Sequence, residues 1–104
     1  MTLPLSIARL LGALTLLLFL AGCETAPPVQ EMSDARQAIT VAREAGAADL
    51  AAAELAEAEE YLQNAELRLD RQQYREARNA ALEAKLRAQQ ALKLSEAAKD
   101  SNGD

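Results

Sequence analysis

A chain of 104 residues is bounded to one small domain at most, and this one is half hydrophobic but only 3% aromatic. Much of the hydrophobic share is alanine, which buries little area per residue, so a large self-sufficient core is not expected. The formal net charge of −5 sets the chain against nucleic acid phosphates, and no RNA- or DNA-reading motif accompanies it.

There is no histidine, and the single cysteine has no partner for an intrachain disulfide. The usual zinc, copper and non-haem iron sites therefore lack their ligands, as does any triad with a histidine base. No metal, cofactor or enzymatic activity is expected.

In chain order, the first element is an apolar segment. Arg9 is the only charged side chain before Leu10–Leu20, an uncharged run of eleven residues that ends in Ala21-Gly22-Cys23. A basic start, an apolar stretch and small closing residues describe a secretory signal peptide over 1–22. A membrane-spanning helix is the structural alternative, but the fourteen residues Leu10–Cys23 fall short of the ~20 needed.

Leu20-Ala21-Gly22-Cys23 resembles the lipobox of bacterial lipoproteins, in which a leucine and two small residues precede the cysteine. The resemblance implies cleavage between Gly22 and Cys23, a diacylglycerol on the Cys23 sulfur, and often an acyl group on the new amine. Two or more acyl chains fasten a protein stably where one holds it weakly. The residue after Cys23 is Glu24, and in lipoproteins of this kind an aspartate at that position is the commonest inner-membrane retention signal. The implied location is the outer membrane, facing the periplasm.

Residues 23–32 then read as the acylated cysteine and a tether, because Pro27-Pro28 favours extended chain and blocks helix. From Ser33 the composition turns to Ala, Glu, Arg, Gln and Leu, all strong helix formers, with Ser33 or Asp34 suited to the N-cap. Three apolar stripes step by three and four: Ala35-Ile39-Ala42-Gly46, Ala48-Ala51-Leu55-Ala58-Leu62-Ala65-Leu69, and Tyr74-Ala77-Ala81-Ala84-Ala88-Ala91.

The stripes are out of register with one another, which predicts breaks near 46–48 and 70–73. Gly46 and a capping Asp49 favour the first break. Asp70 with Gln73 resembles a capping box at the second. The expected fold is all-α: a short helix over about 34–45, then an antiparallel helical hairpin of about 49–69 and 72–98, inside a helical domain spanning 33–98. One continuous long helix with a register slip, assembling as a coiled coil, remains the alternative. Residues 99–104, KDSNGD, read as a disordered tail.

The stretches ARQAITVAREAGAADL, ELAEAEEYLQNAELRL and DRQQYREARNAALEAKLRAQQA resemble a bacterial envelope family known as domain of unknown function 4398. The resemblance implies a place in the cell envelope and no defined activity. Tyr74-x-x-Ala77-x-x-x-Ala81 also looks like part of a tetratricopeptide repeat, though without the Trp and Leu-Gly of that pattern or a second copy. Compared with the small helical lipoprotein that is joined to peptidoglycan through a C-terminal lysine, this chain ends in Asn102-Gly103-Asp104. Proximity to peptidoglycan without covalent linkage is the corresponding expectation.

Candidate sites are few. Glu54, Glu57, Glu59, Glu60 and Glu66 crowd one predicted helix and read as a solvated face. Arg68, Arg71, Arg75 and Arg78 cluster around the predicted turn and offer contact to an anionic polymer or an acidic partner, against the plainer reading of surface charge offset by Asp70 and Glu76. Tyr61 and Tyr74 are expected to pack together. The functional expectation is a non-enzymatic envelope lipoprotein, held to the bilayer through Cys23 and acting as a structural or adaptor protein by self-association or by docking an envelope protein. A periplasmic binding module or holdase is the alternative.

Overall fold

Alanine-rich sequence with a small residue at every third or fourth position can only bury its stripe against other helices, and the chain does so. The computed structural model describes residues 4–22 and 26–103, the side chains of 16–22 excepted. Every regular element in those residues is a helix: α1 (Leu5–Gly22), α2 (Val29–Glu44), α3 (Ala47–Leu50), α4 (Ala52–Asp70) and α5 (Tyr74–Asn102). Among the described residues, α1 packs against none of the others. No described helix is long and apolar enough to cross a membrane.

α2 begins at Val29, inside the stretch read as tether. The prolines do not prevent this, because a proline obstructs the helix that precedes it and tolerates one that follows. Pro28 takes the N-cap position without a side-chain cap, and its carbonyl accepts the Met32 N–H at 3.1 Å. Pro28 and Met32 are themselves buried and extend the first stripe backwards from Ala35. Ser33 and Asp34 therefore lie within the helix and do not cap it. Asp34 accepts a hydrogen bond from Gln30 one turn earlier, at 2.9 Å. At the other end, α5 continues to Asn102, through most of the stretch expected to be frayed.

The first break falls at Ala45–Gly46. Gly46 adopts φ 91°, a left-handed conformation that costs glycine little, and its N–H closes the turn on the Arg43 carbonyl at 2.9 Å. Asp49 lies inside α3 and caps nothing. Ala51, whose backbone (φ −148°, ψ 50°) is not helical, separates α3 from α4 with no side-chain cap. The turn also shifts the stripe by one residue: Ala47 is buried and Ala48 exposed.

The second break, Arg71–Gln73, reverses the chain, so the continuous-helix alternative does not hold. It is a Schellman motif with glutamine in the glycine position: Gln72 has φ 60°, its N–H bonds the Leu69 carbonyl, and the Gln73 N–H bonds the Arg68 carbonyl, both at 2.9 Å. The apolar contact that often accompanies this motif is replaced by a polar one, from Arg68 Nη1 to Gln73 Oε1 at 3.0 Å. Asp70 closes α4 and makes no capping box, since α5 has no side-chain cap.

Packing follows from the stripes. Ala65 meets Ala80 and Ala81, while Leu55 and Ala58 share a cluster with Ala88 and Ala91, so α4 runs antiparallel to α5. Met32 lies with Ala80 and Ala81, and Ile39 and Ala42 with Ala88 and Ala91, so α2 runs parallel to α5. α5 is the shared helix. Its buried face carries Ala77, Ala80, Ala81, Ala84, Ala88, Ala91 and Ser95, all small enough for two neighbours to approach. Ser95 satisfies its hydroxyl internally by donating to the Ala91 carbonyl at 2.8 Å.

Candidate functional site

The parallel run of α2 and α5 brings the start of α2 beside the α4–α5 turn, so residues 26–29 and the predicted arginine cluster share one end of the bundle. Arg78, on the second turn of α5, makes the join. Its Nη2 donates to the Ala26 carbonyl at 3.1 Å, and its Nε donates to Glu31 Oε1 at 3.3 Å. Each guanidinium hydrogen bond holds the entry of α2 against α5 across about fifty residues of sequence, and the group is only partly exposed.

The four arginines do not act alike. Arg68 is half-buried and committed to the turn, donating to Gln73 and, through Nε, to Asn64 Oδ1 at 3.3 Å. Arg78 is committed to the entry segment. Arg71 and Arg75 are exposed and make no ion pair among the described residues. Asp70 and Glu76 stand nearby in the sequence and are exposed as well. Sequence spacing grouped the four correctly at one end but could not divide them into two that build the structure and two that face solvent.

Cys23 and Glu24 lie outside the described residues, and Gly22 is the last residue of α1.

The glutamates sort in a similar way. Glu59 pairs with Arg43 (Nε to Oε1, 3.1 Å), Glu66 with Arg36 (3.4 Å) and Glu57 with Arg87 (3.1 Å). Three acidic side chains of α4 thus meet basic partners on α2 and α5. Exposed pairs of this kind contribute about 0–1 kcal/mol each and act mainly to fix register. No group of three or more potential metal ligands converges among the described residues. Tyr61 lies beneath Arg87, whose guanidinium carbon is 5.9 Å from the ring centroid. That contact replaces the expected Tyr61–Tyr74 pair, since Arg87 is about 20 Å along α5 from Tyr74 at the helical rise.

Seen whole, the packed unit is α2 to α5 with no element of α1. A family model described as Domain of unknown function (DUF4398) matches residues 30–102. The chain belongs to that family. The match starts one residue inside α2 and stops at the last residue of α5, so the DUF4398 region and the packed helices coincide. No curated protein and no solved structure matches the chain.

One further feature of the DUF4398 unit is an open groove along the seam of α2 and α5, lined by Asp34, Ala38, Val41, Lys85 and Leu92 among others. Its volume of about 290 Å³ lies at the foot of the ~300–1,000 Å³ range of small-molecule sites. Asp34 and Lys85 bring opposite charges to it, and Val41, Leu82 and Leu86 on the same two helices are exposed.

Proposed function

We propose that this protein is a non-enzymatic lipoprotein of the bacterial cell envelope, in which the α4–α5 hairpin, braced by α2, serves as a structural or adaptor body. The observation that carries the reading is Leu20-Ala21-Gly22-Cys23 at the close of an uncharged apolar run. In this reading residues 1–22 are a signal peptide. The Cys23 sulfur forms a thioether to a diacylglycerol taken from a phospholipid, whose phosphate headgroup leaves as the thiol proton is lost. Hydrolysis of the Gly22–Cys23 bond frees an amine, which receives an acyl group from a second lipid. With Glu24 in place of the aspartate that would retain it in the inner membrane, the product passes to the outer membrane, on the periplasmic side.

Family membership supports an envelope body without assigning it an activity. The exposed Leu82, Leu86 and Leu94 on α5 favour self-association or docking of an envelope protein, because the alanine core offers limited apolar burial of its own. The α2–α5 groove favours a second reading, a holdase or binding module for unfolded or anionic envelope molecules.

Intact-mass analysis of the protein from its host tests the anchor. The expected mass lacks residues 1–22 and includes the lipid on Cys23, and Cys23→Ser moves the protein out of the membrane fraction. A chain that retains residues 1–22, or carries an unmodified thiol, removes the basis of the reading. A melting temperature that rises with protein concentration would favour self-association. A monomer with a concentration-independent melting temperature that suppresses aggregation of an unfolded client would favour the holdase.

A further inference from the structure

The anchor is a position in sequence, and the fold determines which surface that position holds against the lipid. From the bundle geometry we infer that the α4–α5 turn faces the membrane and that Arg71 and Arg75 bind the anionic headgroups of its phospholipids, standing the bundle on end. This inference rests on the lipid anchor proposed above.

The placement comes from chain length and one hydrogen bond. Two residues, Glu24 and Thr25, separate Cys23 from Ala26, so three steps of chain give a reach of about 10 Å. The Ala26 carbonyl is held by Arg78 at 3.1 Å, and Pro28 is buried, so the chain enters the bundle at a fixed point and cannot swing to another face. That point lies beside the first turns of α5, where Arg75 is exposed, and close to the turn that carries Arg71. An acylated Cys23 therefore holds this end of the bundle, which carries both guanidinium groups, toward the headgroups. Neither group is claimed by an ion pair among the described residues.

Charge polarity along the bundle points the same way. The turn end sets Arg68, Arg71, Arg75 and Arg78 against Glu31, Asp70, Glu76 and, next to the anchor in sequence, Glu24. The opposite end, where the Gly46 turn meets the last turns of α5, sets Glu44, Asp49, Glu54, Glu96 and Asp100 against Arg43, Lys93 and Lys99. The turn end is thus balanced and the other end net acidic, so an anionic surface repels the far end more than the end where the lipid would emerge. The 29 residues of α5 then carry the acidic end about 40 Å from the headgroups. Exposed Val29, the first residue of α2, adds an apolar side chain at the same lipid-facing end.

The full acylated protein is reconstituted into phosphatidylcholine vesicles, with and without phosphatidylglycerol. A fluorophore is placed at Gln72→Cys in one sample and at Ser101→Cys in another, and headgroup-labelled spin lipids serve as quencher. The expected result is strong quenching at position 72 and little at 101. The contrast shrinks without phosphatidylglycerol, and shrinks again in the Arg71→Glu/Arg75→Glu chain and, more mildly, in Arg71→Gln/Arg75→Gln. Equal quenching at both positions, or a contrast that survives charge reversal, overturns the inference. So does a charge reversal that leaves the contrast intact while reducing sedimentation with isolated cell wall, since the arginines would then serve the polymer. Intact mass on the same samples separates the two levels: acylated protein lying flat defeats only the orientation, whereas unacylated protein defeats the anchor as well.

Discussion

Two of the breaks between the described helices, at Gly46 and at Gln72, use a left-handed residue. At Gly46 the conformation is intrinsic to the residue: without a Cβ, φ 91° carries no steric penalty, and space alone would admit a side chain, whose nearest neighbour would be a Leu50 methyl at 3.5 Å. At Gln72 a side chain occupies a conformation that costs an L-residue about 1–2 kcal/mol. The cost is offset by what the turn brings together, namely the alanine faces of α4 and α5 and the Arg68–Gln73 hydrogen bond. One turn is written in its own residue, and the other is enforced by its surroundings.

Four predictions would break or sharpen that contrast. The largest concerns Ile39, which at 2% exposure is among the few large side chains in an alanine core and packs α2 in the cluster that includes Ala47 and Ala51. Ile39→Ala should lower stability by about 2–5 kcal/mol, read as a reduced midpoint in urea denaturation. A loss well below this range would mean that the first turn holds α2 in place without its packing.

Next is Ala81, fully buried where α5 meets both Met32 and Ala65. Ala81→Leu should cost about 1–3 kcal/mol by forcing the helices apart beside the second turn. Exchange of the Gln72 and Gln73 amide protons with deuterium should rise in this variant if packing enforces that turn.

The two turn residues themselves give effects of opposite sign. Gly46→Ala should destabilise by about 1–2 kcal/mol through its positive φ. Gln72→Gly should be neutral or stabilise by up to about 1 kcal/mol, the relief of strain being partly cancelled by glycine's greater freedom in the unfolded chain. Thermal denaturation of the two variants side by side measures the difference, and a loss of stability in Gln72→Gly would refute the claim that this turn is strained.

The smallest effect belongs to Arg68. Arg68→Ala should cost near the low end of the ~0.5–1.5 kcal/mol of a hydrogen bond, because the group is partly solvated. A double-mutant cycle with Gln73→Ala isolates the contact, and additive effects would show that the turn does not depend on it.

Local features were legible in proportion to how local their physics is. Gly46 signalled its break, and the stripe Tyr74-Ala77-Ala81-Ala84-Ala88-Ala91 marked most of the buried face of α5, although Tyr74 is only half-buried and the buried Ala80 and Ser95 fall outside the stripe. Pro27-Pro28 misled because proline's effect on the preceding chain was extended to the chain that follows it. Stepping back by three and seven from Ala35 would have found Met32 and Pro28 on the same stripe. The arginine cluster was legible as a cluster, but its division was not: Arg78 is taken up by residues 26 and 31, a contact that no spacing within 68–78 reveals.

Sequence alone determined that the body is helical, where its apolar faces lie and roughly where the chain must turn, because helical period and residue propensity act over a few residues. The tertiary structure decided that α2 lies parallel to α5 and antiparallel to α4, that Gln72 accepts a left-handed backbone, and that the start of α2 shares an end with Arg71 and Arg75. Those outcomes depend on which alanine stripe finds which neighbour, and burial between residues far apart in the chain is a property of the assembled bundle.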